Sequence, residues 1–339
     1  MKPLVSICIP TYNGSQYLRE CLDSVLTQSF SNYQVIIVDD QSSDNTWEIL
    51  TQYASQDDRI QLFKNEHNLG LVGNWNRCIK LSDGEWIKFV FQDDIIRPDC
   101  LELMLETAHI DMPFVLCRRD FFFHSEIDDA TKKYYMNIPR LDELFSGADL
   151  ISQNQICHAV LTDVRNFFGE PTSTLIHRSV FQRFGLFNPA MVQLCDLEYW
   201  IRVSINTGIK YIRDPLVKFR VHPSSTSSKN NDNQSYRSNH MDRLILLHEF
   251  AYNPFYRALR KFTKKNYPCR NFKRELAKKA FWLKNLANAS SVSEVDTPKN
   301  YWDITAKNYP KINTSVYLLP YELKNWLNKN LIWRLNLNK

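Results

Sequence analysis

Asp93 and Asp94 stand side by side in the run K-F-V-F-Q-D-D-I-I, residues 88–96. Two carboxylates that close repel one another. A positive group is expected beside them, unless the pair lies in open water as a solvated turn that caps the next helix. A divalent cation would remove the repulsion. Mg2+ and Mn2+ suit sites that combine one or two carboxylates with substrate phosphates, which leaves the other carboxylate for a sugar hydroxyl. A third carboxylate, Asp196, sits in Q-L-C-D-L-E-Y-W-I-R-V, residues 193–203. Leu197, Trp200 and Ile201 share one helical face there, which puts Asp196 at a helix N-terminus. It is an N-cap by type, and the helix dipole would keep it ionised. An ionised carboxylate within ~3 Å of a hydroxyl can serve as general base; Glu198 is a rival for that role. In F-R-V-H-P-S-S-T-S, residues 219–227, His222 is a lone histidine, more often structural than catalytic. Arg220 reads equally as a solvent residue on a strand edge.

These residues need a frame. V-S-I-C-I-P reads as a strand ending at Pro10, and Gln16–Gln28 as a helix capped by Ser15, with Leu18, Cys21, Leu22, Val25 and Leu26 on one face. Y-Q-V-I-I-V is a buried strand, D-D-Q-S-S-D-N-T supplies turn and cap residues, and Trp47–Tyr53 continues as a helix. I-Q-L-F-K is a third strand, Gly73–Leu81 a helix and Trp86–Phe91 a fourth strand. Strands alternate with helices, so the fold class is α/β, a mostly parallel sheet flanked by helices. Ligands of such sheets bind beyond the carboxyl ends of the strands. Pro10–Gly14, Asp39–Asp44 and Gln92–Asp94 all fall at such ends. Residues 118–166 show no clear period; elements resume at 172–187 and 194–209. S-S-K-N-N-D-N-Q-S, residues 227–235, reads as a polar linker. The expected organisation is one domain over 1–228, with halves 1–100 and 101–228, and a basic helical region over 229–339.

The chain has 339 residues and is 44% hydrophobic, enough to fill a core. Eight glycines exclude collagen-like and low-complexity architectures. No run of ~18 apolar residues suggests a membrane-spanning helix, and no secretory leader pattern follows Met1. The eight cysteines are scattered without C-x-x-C, as in a reduced cytoplasmic protein. The net charge of +5 hides an asymmetry. Residues 251–339 carry 18 Lys and Arg against 5 Asp and Glu, so the remainder is acidic. A basic tail on an acidic body points to an anionic surface as partner.

Neither G-x-G-x-x-G nor G-x-x-x-x-G-K-[ST] occurs, so a bound nucleotide would need a cation held by carboxylates to neutralise its phosphates. V-S-I-C-I-P-T-Y-N-G, V-I-I-V-D-D-Q-S-S-D-N-T, N-L-G-L-V-G-N-W-N and G-E-W-I-K-F-V-F-Q-D-D occur in that order. Together they resemble the nucleotide-binding half of glycosyltransferase family 2, of GT-A fold, over residues 3–100, with a weaker likeness to about residue 228. The resemblance implies that Pro10, Tyr12 and Asp40 contact nucleobase and ribose. It places Asp93 nearer the ribose and makes Asp94 the ligand of Mn2+ or Mg2+. Phe91 stands where the family often has the first carboxylate of D-x-D-D, which alters the expected ribose contacts. Cys195 through Arg202 resemble the family's E-D-x-x-L-W-x-R, whose Asp is the base. F-R-V-H resembles a Y-R-x-H segment near the diphosphate, implying that His222 binds metal or phosphate. G-E-P-T-S-T-L-I-H-R-S-V-F-Q-R-F-G-L-F, residues 169–187, resembles a segment lining the acceptor side, implying that Pro171, Thr172 and Ser173 face the acceptor; an ordinary strand–helix connection is the alternative.

The C-terminal stretches Y-R-A-L-R-K-F-T-K-K and L-P-Y-E-L-K-N-W-L-N-K-N-L-I-W-R-L-N-L-N-K carry Lys and Arg beside apolar residues. Leu323, Trp326, Leu327, Leu331 and Leu335 share one helical face, which suits a membrane interface or packing on the catalytic domain. The acidic body and the lack of a recognition motif speak against nucleic acid. The expectation is a metal-dependent, inverting glycosyltransferase with a nucleotide-diphosphate sugar donor, UDP favoured and dTDP or GDP open. Its acceptor is a glycan or polyprenyl-linked glycan in surface polysaccharide synthesis, and its location cytoplasmic, peripheral at the inner face of the plasma membrane. The rivals are a non-catalytic nucleotide-sugar or glycan binding protein, and a nucleotidyltransferase, which would need a basic Gly-rich loop that T-Y-N-G-S-Q-Y does not supply.

Overall fold

The computed structural model describes residues 3–163, 165–225, 237–289, 298–314, 318, 320, 321 and 323. The chain divides into two compact units, Met1–Pro189 with Cys195–Ser228, and Ala190–Leu194 with Lys229–Lys339.

In the first unit, β1 (Val5–Thr11) lies between β2 (Tyr33–Asp39) and β4 (Trp86–Phe89), parallel to both, and β3 (Ile60–Lys64) pairs parallel with β2. Every residue of β1 and β2 is buried. That follows from their unbroken apolar runs, which fit strands covered on both faces. Helices α1 (Leu18–Leu26), α2 (Thr46–Ala54) and α3 (Gly70–Leu81) connect these strands. Leu18, Leu22 and Val25 of α1 pack with Val5, Ile7, Val35 and Ile37 in the core. α1 begins two residues later than the sequence suggests. Tyr17 N closes a turn on Gly14 O, and the Ser15 amide is engaged by Asp44 rather than by a cap of its own. α3 begins three residues early, at Gly70, where φ is +73° and a glycine is favoured.

Beyond β4 the sheet is mixed rather than parallel. The order is β3-β2-β1-β4-β8-β6-β9-β5, with β5 at Ile95–Ile96, β6 at Phe114–Phe123, β8 at Thr174–His177 and β9 at Ile209–Val221. β8 runs antiparallel to β4 and β6, while β6 and β9 are parallel. β7 (Leu150–Ile151) pairs with β9. The stretch without clear period holds the end of β6, then α5 (Asp129–Met136), α6 (Leu141–Leu144) and α7 (Gln153–Thr162), after α4 (Cys100–Thr107). These elements are short, so no period could build up. α8 (Arg178–Phe184) follows β8, and α9 (Cys195–Thr207) precedes β9. β5 matters most for function. Its antiparallel pairing, Ile95 opposite Lys218 and Ile96 opposite Val217, lays the Asp93–Asp94 loop against the last residues of β9.

The second unit is helical, with helices at Asp242–Tyr252, Arg257–Asn266, Phe272–Ala289 and Pro298–Asn308. Helix Arg257–Asn266 buries Leu259 and Thr263 and exposes Arg257, Lys261, Lys264 and Lys265. Of the expected C-terminal amphipathic face, Leu323 is exposed; Trp326, Leu327, Leu331 and Leu335, and the linker at 227–235, lie outside the described residues. Among the described residues no helix is long and apolar enough to cross a membrane. All eight cysteines are free thiols, seven buried and Cys269 exposed.

Candidate active site

Three loops meet at the carboxyl edge of β1, β2 and β4. Asp40 N donates to Thr11 O, and Asn13 N to Ser42 Oγ. Gly14 N donates to Thr46 Oγ1, and Ser43 N to Asn13 Oδ1. Asn13 and Gln41 hold positive φ without being glycine, at 47° and 64°, a strain that gathers at functional loops. Pro10 is buried at the end of β1, whereas Tyr12 is 50% exposed at the rim. Asp40 is buried, and its Oδ1 accepts from Asn65 Nδ2 at 2.6 Å and Leu69 N at 2.7 Å. Asn65 in turn donates to Asn74, whose amide donates to Val38 O. Gln92 spans the gap between β1 and β4, accepting from Tyr12 N at 2.9 Å and donating to Tyr12 O at 3.1 Å. Phe91, at the position of the missing carboxylate, packs on Trp75 with ring centroids 4.9 Å apart. The strand end has exchanged a charge for a place in the Trp75–Phe89–Phe187 aromatic cluster.

The two neighbouring carboxylates have opposite environments. Asp94 has no exposed surface. Its Oδ2 accepts from Thr172 Oγ1 at 2.5 Å and its Oδ1 from Arg220 N at 3.1 Å. Burial, and then the charge of Asp93, push its carboxyl well above the usual range. Asp93 keeps partial exposure, and its Oδ2 lies 3.0 Å from His222 Nε2. The repulsion is thus relieved by burying and bonding one carboxylate and pairing the other. Arg220 is no strand-edge solvent residue. Its Nε donates to Asp93 O, its Nη2 to Glu20 Oε2 at 2.8 Å, and its guanidinium lies 4.3 Å from the Tyr17 ring centre. Asp94, the metal ligand that the resemblance implies, has both oxygens engaged; the partly exposed carboxylate is Asp93, and the imidazole beside it, His222, is buried. No three His, Cys, Asp or Glu side chains converge among the described residues. A carboxylate and an imidazole fit a cation that completes its shell with phosphate oxygens.

Asp196 lies in the first turn of α9. Its Oδ2 accepts from Asn166 Nδ2 at 2.9 Å and its Oδ1 from Leu197 N at 2.7 Å. Burial raises its carboxyl to about 7; the Leu197 amide opposes the rise, Glu170 adds to it, and Asn166 opposes it. The expectation that the helix dipole keeps this group ionised is therefore corrected: desolvation outweighs it. Asp196 nevertheless keeps some exposed surface, alone among the first residues of α9. Glu198 is buried and ion-paired with Arg202 at 2.8 Å, an internal brace of the helix rather than a base. Thr172 and Ser173 are buried as well. Thr172 holds Asp94, Ser173 Oγ donates to Glu170 O, and the Lys88 ammonium donates to Thr172 O. Pro171, Thr172 and Ser173, expected on the acceptor side, are all buried and support the site from within, as does Glu198, the rival base, through its ion pair with Arg202.

Segment 166–172 joins the two centres, since Thr172 touches Asp94 and Asn166 touches Asp196. Within it Glu170 pairs with Arg119 of β6 at 2.5 Å. Gly169 takes φ +107°, and a Cβ there would lie 2.7 Å from both Arg119 Nη1 and Ser173 Oγ. Sequence reasoning missed Asn65, Gln92, Arg119, Asn166 and Glu170. Gly169 and Glu170 open the run 169–187, whose resemblance to an acceptor-side segment implies no role for either.

The glycosyl transferase family 2 model matches residues 6–182. The putative glycosyltransferase EpsH of Bacillus subtilis is 30% identical over 227 residues, covering 66% of this chain and 62% of EpsH. The chain thus spans under two thirds of that relative's length. Two solved structures share the fold. TarS 1-349 of S. aureus in complex with UDP-GlcNAc has a TM-score of 0.57 at 16% identity, covering 92% of this chain and 81% of that one. The mannosyltransferase PcManGT of Pyrobaculum calidifontis, in complex with GDP-Man and Mn2+, has a TM-score of 0.54 at 16% identity, covering 97% and 88%. A sheet edge carrying paired aspartates and a separate, partly exposed carboxylate, on a chain that matches this model over more than half its length, makes the protein a member of glycosyltransferase family 2.

Proposed function

We propose that this glycosyltransferase moves a sugar from a nucleotide-diphosphate donor, UDP-linked in the first instance, to a hydroxyl of a glycan or lipid-linked glycan, with inversion and with a divalent cation. The observation that carries the reading is the pairing of Asp93 with His222 on one side of segment 166–172 and the held, protonatable Asp196 on the other. Asp93 and His222 would hold the cation, which when bound supplies positive charge opposite the leaving diphosphate. An imidazole beside a carboxylate suits Mn2+ better than Mg2+. Asp94 anchors the loop through Thr172 and Arg220. Asp40, with Oδ1 fixed by Asn65 and Leu69, presents its other oxygen to base or ribose beside Pro10 and Tyr12. Asp196, ionised, takes the proton of the acceptor hydroxyl as that oxygen attacks the anomeric carbon in line with the diphosphate. Asn166 and the Leu197 amide fix the carboxylate for the transfer. The exposed cations of helix Arg257–Asn266 suit an anionic leaflet, which supports a polyprenyl-linked acceptor of surface polysaccharide synthesis and a peripheral place at the membrane. UDP-GlcNAc bound to TarS and Mn2+ bound to PcManGT support the donor and cation classes.

The test is nucleotide release from UDP-, dTDP- and GDP-sugars, with Mn2+ or Mg2+ and a lipid-linked acceptor extract. Wild type, Asp93→Asn and Asp196→Ala are compared. Cation-dependent release from one donor, lost in both variants, is the expected result. Donor binding without release would instead identify a nucleotide-sugar binding protein.

A further inference from the structure

Asp242 is a fully buried carboxylate that the chemistry above does not use. It opens helix Asp242–Tyr252 in the second unit. Three consecutive backbone amides point at it. Its Oδ2 accepts from Val192 N at 3.0 Å, Gln193 N at 2.6 Å and Leu194 N at 2.8 Å, and its Oδ1 from Val192 N at 3.3 Å. Such a run of amides is an anion nest, here filled by a side chain of the same chain. The segment it holds, Ala190–Leu194, is grouped by its contacts with the second unit, although it interrupts the first in sequence. The next residue, Cys195, begins α9, and the one after is Asp196. Burial lifts the Asp242 carboxyl to about 6, and the three amides oppose that rise. Burying a carboxylate is costly unless it is fully hydrogen-bonded, and a neutral residue would close a loop at lower cost.

We infer that Asp242 is a positioning residue for the general base: by clamping the amides of residues 192–194 it sets where α9 starts and therefore where the Asp196 carboxylate is presented. The inference rests on the reading of Asp196 as the base. A base must be held within a fraction of an ångström of its working position to be efficient, and one residue separates the clamp from the base.

The test uses the full chain with Asp242→Ala and Asp242→Asn, each alone and combined with Asp196→Ala. Asn keeps one oxygen for the nest, so it folds if the alanine variant does not. The first readout is amide hydrogen exchange over residues 192–199, against residues 5–91 as internal reference. The second is UDP release from UDP-GlcNAc with Mn2+, resolved into kcat and donor KM. Asp242→Ala is expected to speed exchange at 192–199 at least tenfold while leaving 5–91 unchanged. It should lower kcat at least tenfold at constant donor KM, and Asp242→Asn should recover most of both. The kcat effect should vanish in the Asp196→Ala background, which a general loss of stability would not produce. Unchanged exchange at 192–199, or an equal kcat loss in both backgrounds, would overturn the inference. If Asp196→Ala alone left release unaltered, the base assignment would fall, while the exchange readout would still decide whether Asp242 sets the start of α9.

Discussion

The sharpest consequence of the site concerns pH. Asp196 is held at about 7, against 3.8 for a free carboxylate. At 1.36 kcal/mol per unit, that is about 4 kcal/mol of bias toward the protonated form. A helix N-terminus offsets ~0.3–1 kcal/mol in ordinary cases and ~2 at best, so burial wins. A base with this value is roughly one-tenth ionised at pH 6, half at pH 7 and nine-tenths at pH 8. The log of kcat/KM for transfer should therefore rise with unit slope below pH 7 and level off above it. Glu170→Gln removes a negative charge that raises the value, so the midpoint should move down. Asn166→Ala removes a donor that lowers it, so the midpoint should move up. The assay is initial-rate nucleotide release across pH 5.5–9 at saturating Mn2+. A flat profile, or a midpoint near 4 in wild type, would refute the assignment. The stability sign follows from linkage. The folded value lies above the unfolded one, so the contribution is fully present below about pH 4 and is lost as pH rises through about 7. Asp196→Asn should accordingly raise the melting temperature relative to wild type more at pH 8 than at pH 5, while abolishing transfer.

Four further outcomes are expected. Glu198→Gln breaks a buried ion pair and should cost ~3–5 kcal/mol in denaturant titration without moving the pH midpoint, which separates it from Asp196. Thr172→Val strips a donor from buried Asp94 and should cost ~1–3 kcal/mol, with a weaker apparent affinity for Mn2+ by calorimetry in the presence of UDP. Arg220→Ala removes the bonds to Asp93 O and Glu20 together with the Tyr17 stack. It should weaken cation-dependent UDP binding at least tenfold, with Arg220→Lys recovering little, because lysine lacks the planar fork. Lys261→Ala with Lys264→Ala and Lys265→Ala should reduce co-sedimentation with phosphatidylglycerol vesicles, each lysine contributing ~1 kcal/mol. Added salt should reduce it further, while soluble nucleotide release stays unchanged.

Much of the frame was legible along the chain. The unbroken apolar runs of β1 and β2 announced strands buried on both faces, and the polar clusters after Pro10, Val38 and Phe91 marked the edge where ligands bind. These are local properties: side-chain period, turn chemistry and the length of each run are set by neighbours in sequence. Asp93 and Asp94 stand out as adjacent carboxylates at a strand end, while the roles expected of Asp94, Asp196 and His222 come from the resemblance to the family. Their division of labour was not visible there. Whether Asp93 or Asp94 faces outward depends on β5 pairing with β9, which brings Arg220 and His222 to the loop from more than a hundred residues away. Pro171, Thr172 and Ser173, expected on the acceptor side, are internal supports because the mixed half of the sheet buries them, and short strands such as β8 leave too little pattern to show it. Asp196 reads by type as an N-cap and only by resemblance as a base, and its value of about 7 belongs to the packing around α9 and to Glu170. A sequence specifies which groups can carry charge; how strongly each holds its proton depends on the water removed around it, and only the folded chain decides that.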